Sequence, residues 1–122
     1  MCYNQTIIDK KWFFKKKIKP KNLDFKLMNQ KNIGTYNLLL SGRVQGVGFR
    51  YFAEARAARY NIKGYVKNTY DNKVEIVCQG EPDNLDKFIL EVKNGPSFSH
   101  IKQVYIEEII DAPAYDVFEI KY

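Results

Sequence analysis

Residues 62–79 read IKGYVKNTYDNKVEIVCQ, and this stretch decides the fold class. Its two halves, IKGYVKNTY (62–70) and KVEIVCQ (73–79), each show the period-2 pattern that is typical of half-buried β-strands. Asp71 and Asn72 separate the halves, and both residue types tolerate the positive φ angle that a tight turn needs. The stretch therefore predicts a β-hairpin.

Helix and strand patterns flank this hairpin on both sides. Phe49 to Tyr60 carries apolar residues at helical spacing, and a second helix begins at Pro82 and stops at 94–96, Asn-Gly-Pro. Further strand patterns are YNLLLSGRV (36–44), IKQVYIEEI (101–109) and VFEIKY (117–122). The order β-α-β-β-α-β with an extra C-terminal strand predicts an α+β, ferredoxin-like α/β sandwich. Its antiparallel sheet would be covered on one face by two helices.

The positive charge of the chain is concentrated at its front. The 122 residues carry a net charge of +6, but residues 1–33 hold nine lysines against only Asp9 and Asp24. Residues 34–122 hold eleven basic side chains against twelve acidic ones. The sequence therefore predicts a basic, flexible extension over 1–33, with Met28 as an alternative start, and one domain over 34–122. The extension is either a solvated tail or a basic arm for nucleic acid or an anionic membrane.

The cysteines and the apolar runs limit where the protein works. Cys2 and Cys78 are far apart and belong to no C-x-x-C pattern, which argues against a disulfide framework or a structural zinc site. No apolar run has the length of a membrane span or of a signal peptide. We therefore expect a cytoplasmic protein without a membrane span. A compact domain with few strong apolar surface signals favours a monomer.

A glycine-rich loop between the first strand and the first helix is the main candidate site. In GRVQGVGFR (42–50), Gly46 and Gly48 let the backbone curl beside a helix N-terminus, where amide groups and the helix dipole attract anions. Arg50 adds a forked donor that matches phosphate oxygens. No Lys-Ser/Thr pair follows the glycines, so a Walker A loop is excluded, and the following hairpin excludes a dinucleotide fold. The residues favour a phosphate site, while a tight turn with a surface arginine stays open.

The motifs GRVQGVGFR (42–50) and GYVKN (64–68), with Gly80, resemble the signature pair of the acylphosphatase family. The resemblance covers 36–122 and includes NGPSFSHI (94–101) and FEIKY (118–122). It implies a metal-independent hydrolase without a cofactor that cleaves the carboxyl–phosphate bond of acyl phosphates, with inorganic phosphate as product and inhibitor. It also implies that Arg50 binds the phosphate and Asn68 orients the attacking water. The loop residues expected to hold the phosphate are Gln45, Gly46, Val47, Gly48, Phe49 and Arg50.

One position departs from the family pattern. The family has glycine in the hairpin turn where this chain has Asn72. Asparagine is the residue that best replaces glycine at positive φ, so we expect the hairpin to form.

Two other functions stay open from the sequence. A nucleic-acid-binding module would use the same fold and the basic arm, although the near-neutral folded part disfavours it. A non-catalytic phosphate sensor would use the same anion pocket without turnover. Arg43 is close enough to the loop to tune its potential, His100 is expected in a loop, and Cys78 is expected to be a small buried hydrophobe.

Overall fold

The structure is a computed structural model and describes residues 32–122. Most of the predicted basic extension, residues 1–33, lies outside the described residues. The elements, in chain order, are β1 (Gly34–Arg43), α1 (Phe49–Tyr60), β2 (Lys63–Asn68), β3 (Val74–Gly80), α2 (Pro82–Asn94), β4 (His100–Glu108) and β5 (Phe118–Lys121). The predicted order of strands and helices is confirmed, with boundaries that differ by a few residues.

The five strands form one sheet in the order β4-β1-β3-β2-β5. β3 pairs antiparallel with both β1 and β2, and β4 pairs antiparallel with β1. The predicted ferredoxin-like sandwich is therefore confirmed. β1 and β2 run in the same direction, so the loop after β1 and the turn after β2 lie at the same end of the strands. We call this end of the sheet the upper edge and the opposite end the lower edge.

The sheet is mixed, not wholly antiparallel as predicted, because β5 pairs parallel with β2. The chain leaves β4 at the lower edge, the edge at which β2 begins, and crosses below the sheet. When it reaches the free side of β2 it runs upward again, and the new strand is necessarily parallel to β2. A period-2 pattern reports that a strand forms but carries no information about its direction.

The two helices cover one face of the sheet and enclose the core. Alternate residues of β1 and β3, including Leu38, Leu40 and Ile76, have no exposed surface on this face, where Phe49 and Phe88 pack from the helices. Each large apolar side chain buried in this way contributes about 1.5–3 kcal/mol to folding. The core thus fixes the start of α1 against the sheet through Phe49.

The hairpin turn forms as predicted, with Asn72 at φ 67°. It is wider than a two-residue turn, because β2 ends at Asn68 and β3 begins at Val74. The amide of Thr69 donates to the carbonyl of Lys73 at 2.9 Å, and Thr69 Oγ1 accepts from the amide of Lys73 at 3.0 Å. Asn72 therefore supplies the positive φ angle that the turn requires.

The connection from β4 to β5 is held by one buried carboxamide at the lower edge. Gln79, only 8% exposed, donates from Nε2 to Thr35 Oγ1 at 2.9 Å and to the carbonyl of Pro113 at 2.8 Å. Its Oε1 accepts from the amide of Tyr115 at 2.8 Å. These bonds fix the segment that delivers β5 to β2.

Candidate active site

The loop between β1 and α1, residues 44–48, carries the glycines that the sequence analysis singled out. Gly46 and Gly48 have φ angles of 75° and 77°, the left-handed conformation that residues with a Cβ rarely adopt. A Cβ at either glycine would meet no atom within 4 Å, so both are required for their backbone angles and not for close packing. The loop is held at its two ends by the buried side chains of Val44 and Phe49.

The N-terminus of α1 is left without a side-chain cap. Gly48 is the N-cap residue, no acidic residue lies in the first turn, and the first intrahelical bond runs from the amide of Phe52 to the carbonyl of Gly48 at 3.0 Å. The amides of the first turn have no intrahelical acceptor, and the positive end of the helix dipole lies beside them. This arrangement suits an anion.

Gln45 binds the β1–α1 loop to the hairpin turn. Its Nε2 donates to the carbonyl of Thr69 and to the carbonyl of Lys73, each at 2.9 Å. The sequence analysis assigned Gln45 only a backbone role and missed this side-chain function. No local pattern signals it, because the bonded residues lie more than twenty positions away.

Arg50 lies in the first turn of α1 and extends toward the end of β5. Its Nη1 donates to the carbonyl of Lys121 at 3.4 Å, and its Cζ lies 4.7 Å from the centre of the Tyr122 ring. A hydrogen bond with Tyr51, followed by the charge interaction between the two phenols, raises the pKa of Tyr122. The contacts of Arg50 with β5 were also missed, although FEIKY had been recognised as part of the resemblance.

Asn68 is the last residue of β2 and is half-buried. Its two chain neighbours take part in contacts that lead to the other candidate residues. The residue after it, Thr69, accepts from Gln45, and the residue before it, Lys67, pairs with Lys121, whose carbonyl accepts from Arg50. Because Val66 faces the core, strand alternation directs Asn68 to the same helix-covered side. Within residues 32–122 its carboxamide makes no side-chain hydrogen bond.

The remaining candidates are not part of this arrangement. Cys78 is fully buried as predicted, and burial raises the pKa of its thiol above the ordinary range. His100 is the first residue of β4, so it lies in a strand and not in a loop. In the described part of the chain, no group of three or more His, Cys, Asp or Glu side chains could hold a metal ion.

Comparison with known proteins identifies the family. The acylphosphatase family model matches residues 36–120. The chain belongs to the acylphosphatase family. An acylphosphatase of Bacillus velezensis is 42% identical over 87 residues, which cover 71% of this chain and 97% of the relative. An acylphosphatase of Clostridium acetobutylicum is 44% identical over 87 residues, covering 71% and 96% of the two chains.

A solved structure agrees with these relatives. The crystal structure of the acylphosphatase from Bacillus subtilis superposes with a TM-score of 0.71 and 38% sequence identity. The match covers 73% of this chain and 99% of that one. As an acylphosphatase, the protein is a hydrolase of acyl phosphates. Among residues 32–122, neither helix has the length and apolar character needed to cross a membrane.

Proposed function

We propose that this acylphosphatase binds the phosphate of its substrate with the side chain of Arg50 and with the backbone amides of residues 45–50, which lie in the β1–α1 loop and the first turn of α1. The proposal rests on the uncapped N-terminus of α1 beside two left-handed glycines, with a guanidinium one residue into the helix. Backbone amides and the helix dipole stabilise the anion, and the guanidinium supplies two parallel donors for phosphate oxygens.

Asn68 is proposed to orient the attacking water. A carboxamide has both donors and an acceptor, so it can accept a hydrogen bond from the water and still donate to the phosphate. It is uncharged and does not repel a dianion. The single observation that carries this role is the position of Asn68 between the contacts made by Gln45 and by Arg50.

The reaction needs no further groups. The water oxygen bonds to phosphorus while the bond from phosphorus to the acyl oxygen breaks, and the electron pair leaves with the carboxylate. One water proton passes to a phosphate oxygen, which gives inorganic phosphate. The leaving carboxylate has a conjugate acid with a pKa of about 4, so a general acid is not required. Phosphoryl transfer passes through a loose transition state, and positioning with electrostatic stabilisation supplies most of the catalysis.

Hydrolysis of acetyl phosphate in excess EDTA tests these roles. We expect turnover by the wild type, competitive inhibition by inorganic phosphate, and a loss of at least about 10²–10³-fold in Arg50→Ala, as when one preorganised donor is removed. Asn68→Ala should lose activity to a similar extent. Arg59→Ala, at the far end of α1, and Asn84→Ala, in α2, are matched controls that should keep wild-type activity.

Two outcomes would contradict the proposal. Near wild-type turnover in folded Arg50→Ala or Asn68→Ala would remove that residue from the mechanism. Loss of wild-type turnover in EDTA, restored by a divalent cation, would show that the reaction depends on a metal ion.

Three sequence-based expectations are kept as proposals beside the mechanism. We propose that residues 34–122 form the catalytic domain, that the protein acts as a monomer, and that it works in the cytoplasm. The change from a strongly basic 1–33 to a near-neutral 34–122 supports the domain boundary, and the two widely spaced cysteines support the cytoplasm.

A further inference from the structure

A second arginine stands beside the β1–α1 loop. Arg43 is the last residue of β1 and directly precedes the loop, whereas Arg50 follows it in the first turn of α1. Gly46 is three residues from Arg43, so their Cα atoms are at most about 11 Å apart. A ligand held by the amides of the loop is therefore within reach of the long side chain of Arg43.

An irregularity in the sheet determines where Arg43 lies. The pairing of β1 with β4 shifts between Ser41 and Gly42, and Lys102 is the extra residue on β4. Gly42 has φ 123°, and a Cβ there would lie 2.2 Å from the carbonyl oxygen of His100, so only glycine fits at this bulge. After the bulge, Arg43 is opposite His100.

Strand alternation then places Arg43 on the face of the sheet that carries no helix. Its two neighbours belong to the core side, because Val44 is buried and Ile101, the partner of Gly42, packs against the core. Arg43, His100 and Lys102 are all exposed there. Arg43 and Lys102 thus place two positive charges at this end of the helix-free face.

Three other basic side chains near this edge have partners. Lys67 Nζ lies 3.8 Å from Glu75 Oε1, Lys73 Nζ lies 3.4 Å from Asp71 Oδ2, and Lys121 Nζ lies 4.2 Å from the centre of the Tyr65 ring. Arg43, in contrast, makes no ion pair with any residue from 32 to 122. Its charge is therefore available to a ligand.

We propose that Arg43 is a specificity-determining residue that binds a second anionic group on the acyl part of the substrate. This inference rests on the proposed function, since the phosphate held by the loop fixes one end of the substrate. The guanidinium offers a planar pair of donors that matches a carboxylate or a phosphate, and no acidic partner competes for it within the described residues. The substrate class is an acyl phosphate whose acyl group carries its own negative charge.

The test compares two substrates that differ in the second anionic group. Values of kcat/KM are measured for acetyl phosphate and for succinyl phosphate, at one ionic strength, with the wild type and with Arg43→Gln. We expect Arg43→Gln to lower kcat/KM for succinyl phosphate about two- to fivefold, through KM, because the interaction is exposed to solvent. For acetyl phosphate the change should stay below about twofold.

Lys63→Gln is the matched control, because it removes one positive charge at the lower edge, where β2 begins. It should leave the ratio of the two kcat/KM values unchanged. An equal decrease for both substrates in Arg43→Gln, or no decrease for either, would overturn the proposal. A different result would contradict the proposed function: Arg50→Ala would continue to hydrolyse acetyl phosphate.

Discussion

The carboxamide of Gln45 fixes the position of the β1–α1 loop through two backbone acceptors on the hairpin turn, the carbonyls of Thr69 and Lys73. Through these bonds the loop that is proposed to hold the phosphate keeps a fixed distance from Asn68, which precedes Thr69. The geometry of the site thus depends on a residue whose side chain bonds to the hairpin turn.

Replacing Gln45 by leucine should impair catalysis more than folding. Two hydrogen bonds to carbonyls are lost, at about 0.5–1.5 kcal/mol each in the free energy of unfolding, while both carbonyls keep a backbone donor. Displacement of the loop relative to Asn68 should lower kcat/KM for acetyl phosphate about a hundredfold, the usual effect of a misplacement near 1 Å. Urea unfolding and steady-state kinetics measure the two effects.

Gln103→Leu is the control for Gln45→Leu. Within residues 32–122, the side chain of Gln103 donates to Tyr105 Oη at 3.2 Å on the exposed face, so activity should be unchanged. Wild-type kcat/KM in folded Gln45→Leu would show that the loop keeps its position without the two bonds.

At the scale of elements, the two helices are joined by a charged cluster outside the core. Glu91 of α2 accepts from Tyr60 Oη, forms an ion pair with Arg56, and lies 3.8 Å from Arg59 Nη1. The hydrogen bond from Tyr60, followed by the guanidinium of Arg56, lowers the pKa of the Glu91 carboxyl from its ordinary value of 4.5. The cluster therefore links the packing of the helices to pH.

Acid should weaken this link in a defined direction. A carboxyl with a lowered pKa in the folded state contributes stability above its ordinary pKa and loses that contribution as pH falls through the folded value. The urea midpoint of the wild type should therefore decrease from pH 7 to pH 3 by more than that of Glu91→Gln, which cannot ionise at this position. Equal decreases in the two proteins would show that Glu91 does not couple the helices to pH.

The elements also show how far the sequence alone could lead. Period-2 and helical patterns predicted both helices and all five strands, and the resemblance singled out Arg50 and Asn68. The direction of β5, the bonds of Gln45 and the contacts of Arg50 with Lys121 and Tyr122 were not predicted. Each of these features joins residues that are far apart in the chain, and a local sequence pattern carries no information about such contacts.

At the scale of the whole molecule, the lower edge of the sheet supports the upper one. Gln79 holds the connection that leads into β5, and the far end of β5 supplies the carbonyl of Lys121 to Arg50. Arg50 thus contacts β5, and Gln79 fixes the segment that leads into β5 at the lower edge.

Gln79→Leu should reveal this dependence. The substitution leaves Thr35 Oγ1, the Pro113 carbonyl and the Tyr115 amide without their partner, which should lower the free energy of unfolding by about 2–4 kcal/mol. We also expect a lower kcat/KM at temperatures where the variant is folded, because β5 no longer holds Arg50 firmly. Thermal unfolding followed by circular dichroism, together with kinetics at 15 °C, separates the two effects. A destabilised variant with wild-type kcat/KM would show that Arg50 needs no support from β5.

The strand order has a consequence for how the molecule reaches its native state. The interior strand β1 pairs with β4, and Tyr36 is opposite Glu108, so these neighbours in the sheet are distant along the chain. Closing such long loops precedes any gain from the contacts, and proteins dominated by such non-local pairings fold over milliseconds to seconds rather than microseconds. We expect refolding from urea, followed by circular dichroism, to lie in that slower range, with the recovery of acetyl phosphate hydrolysis no faster than the recovery of the sheet. A newly made chain would then gain its activity only when its most distant segments have met.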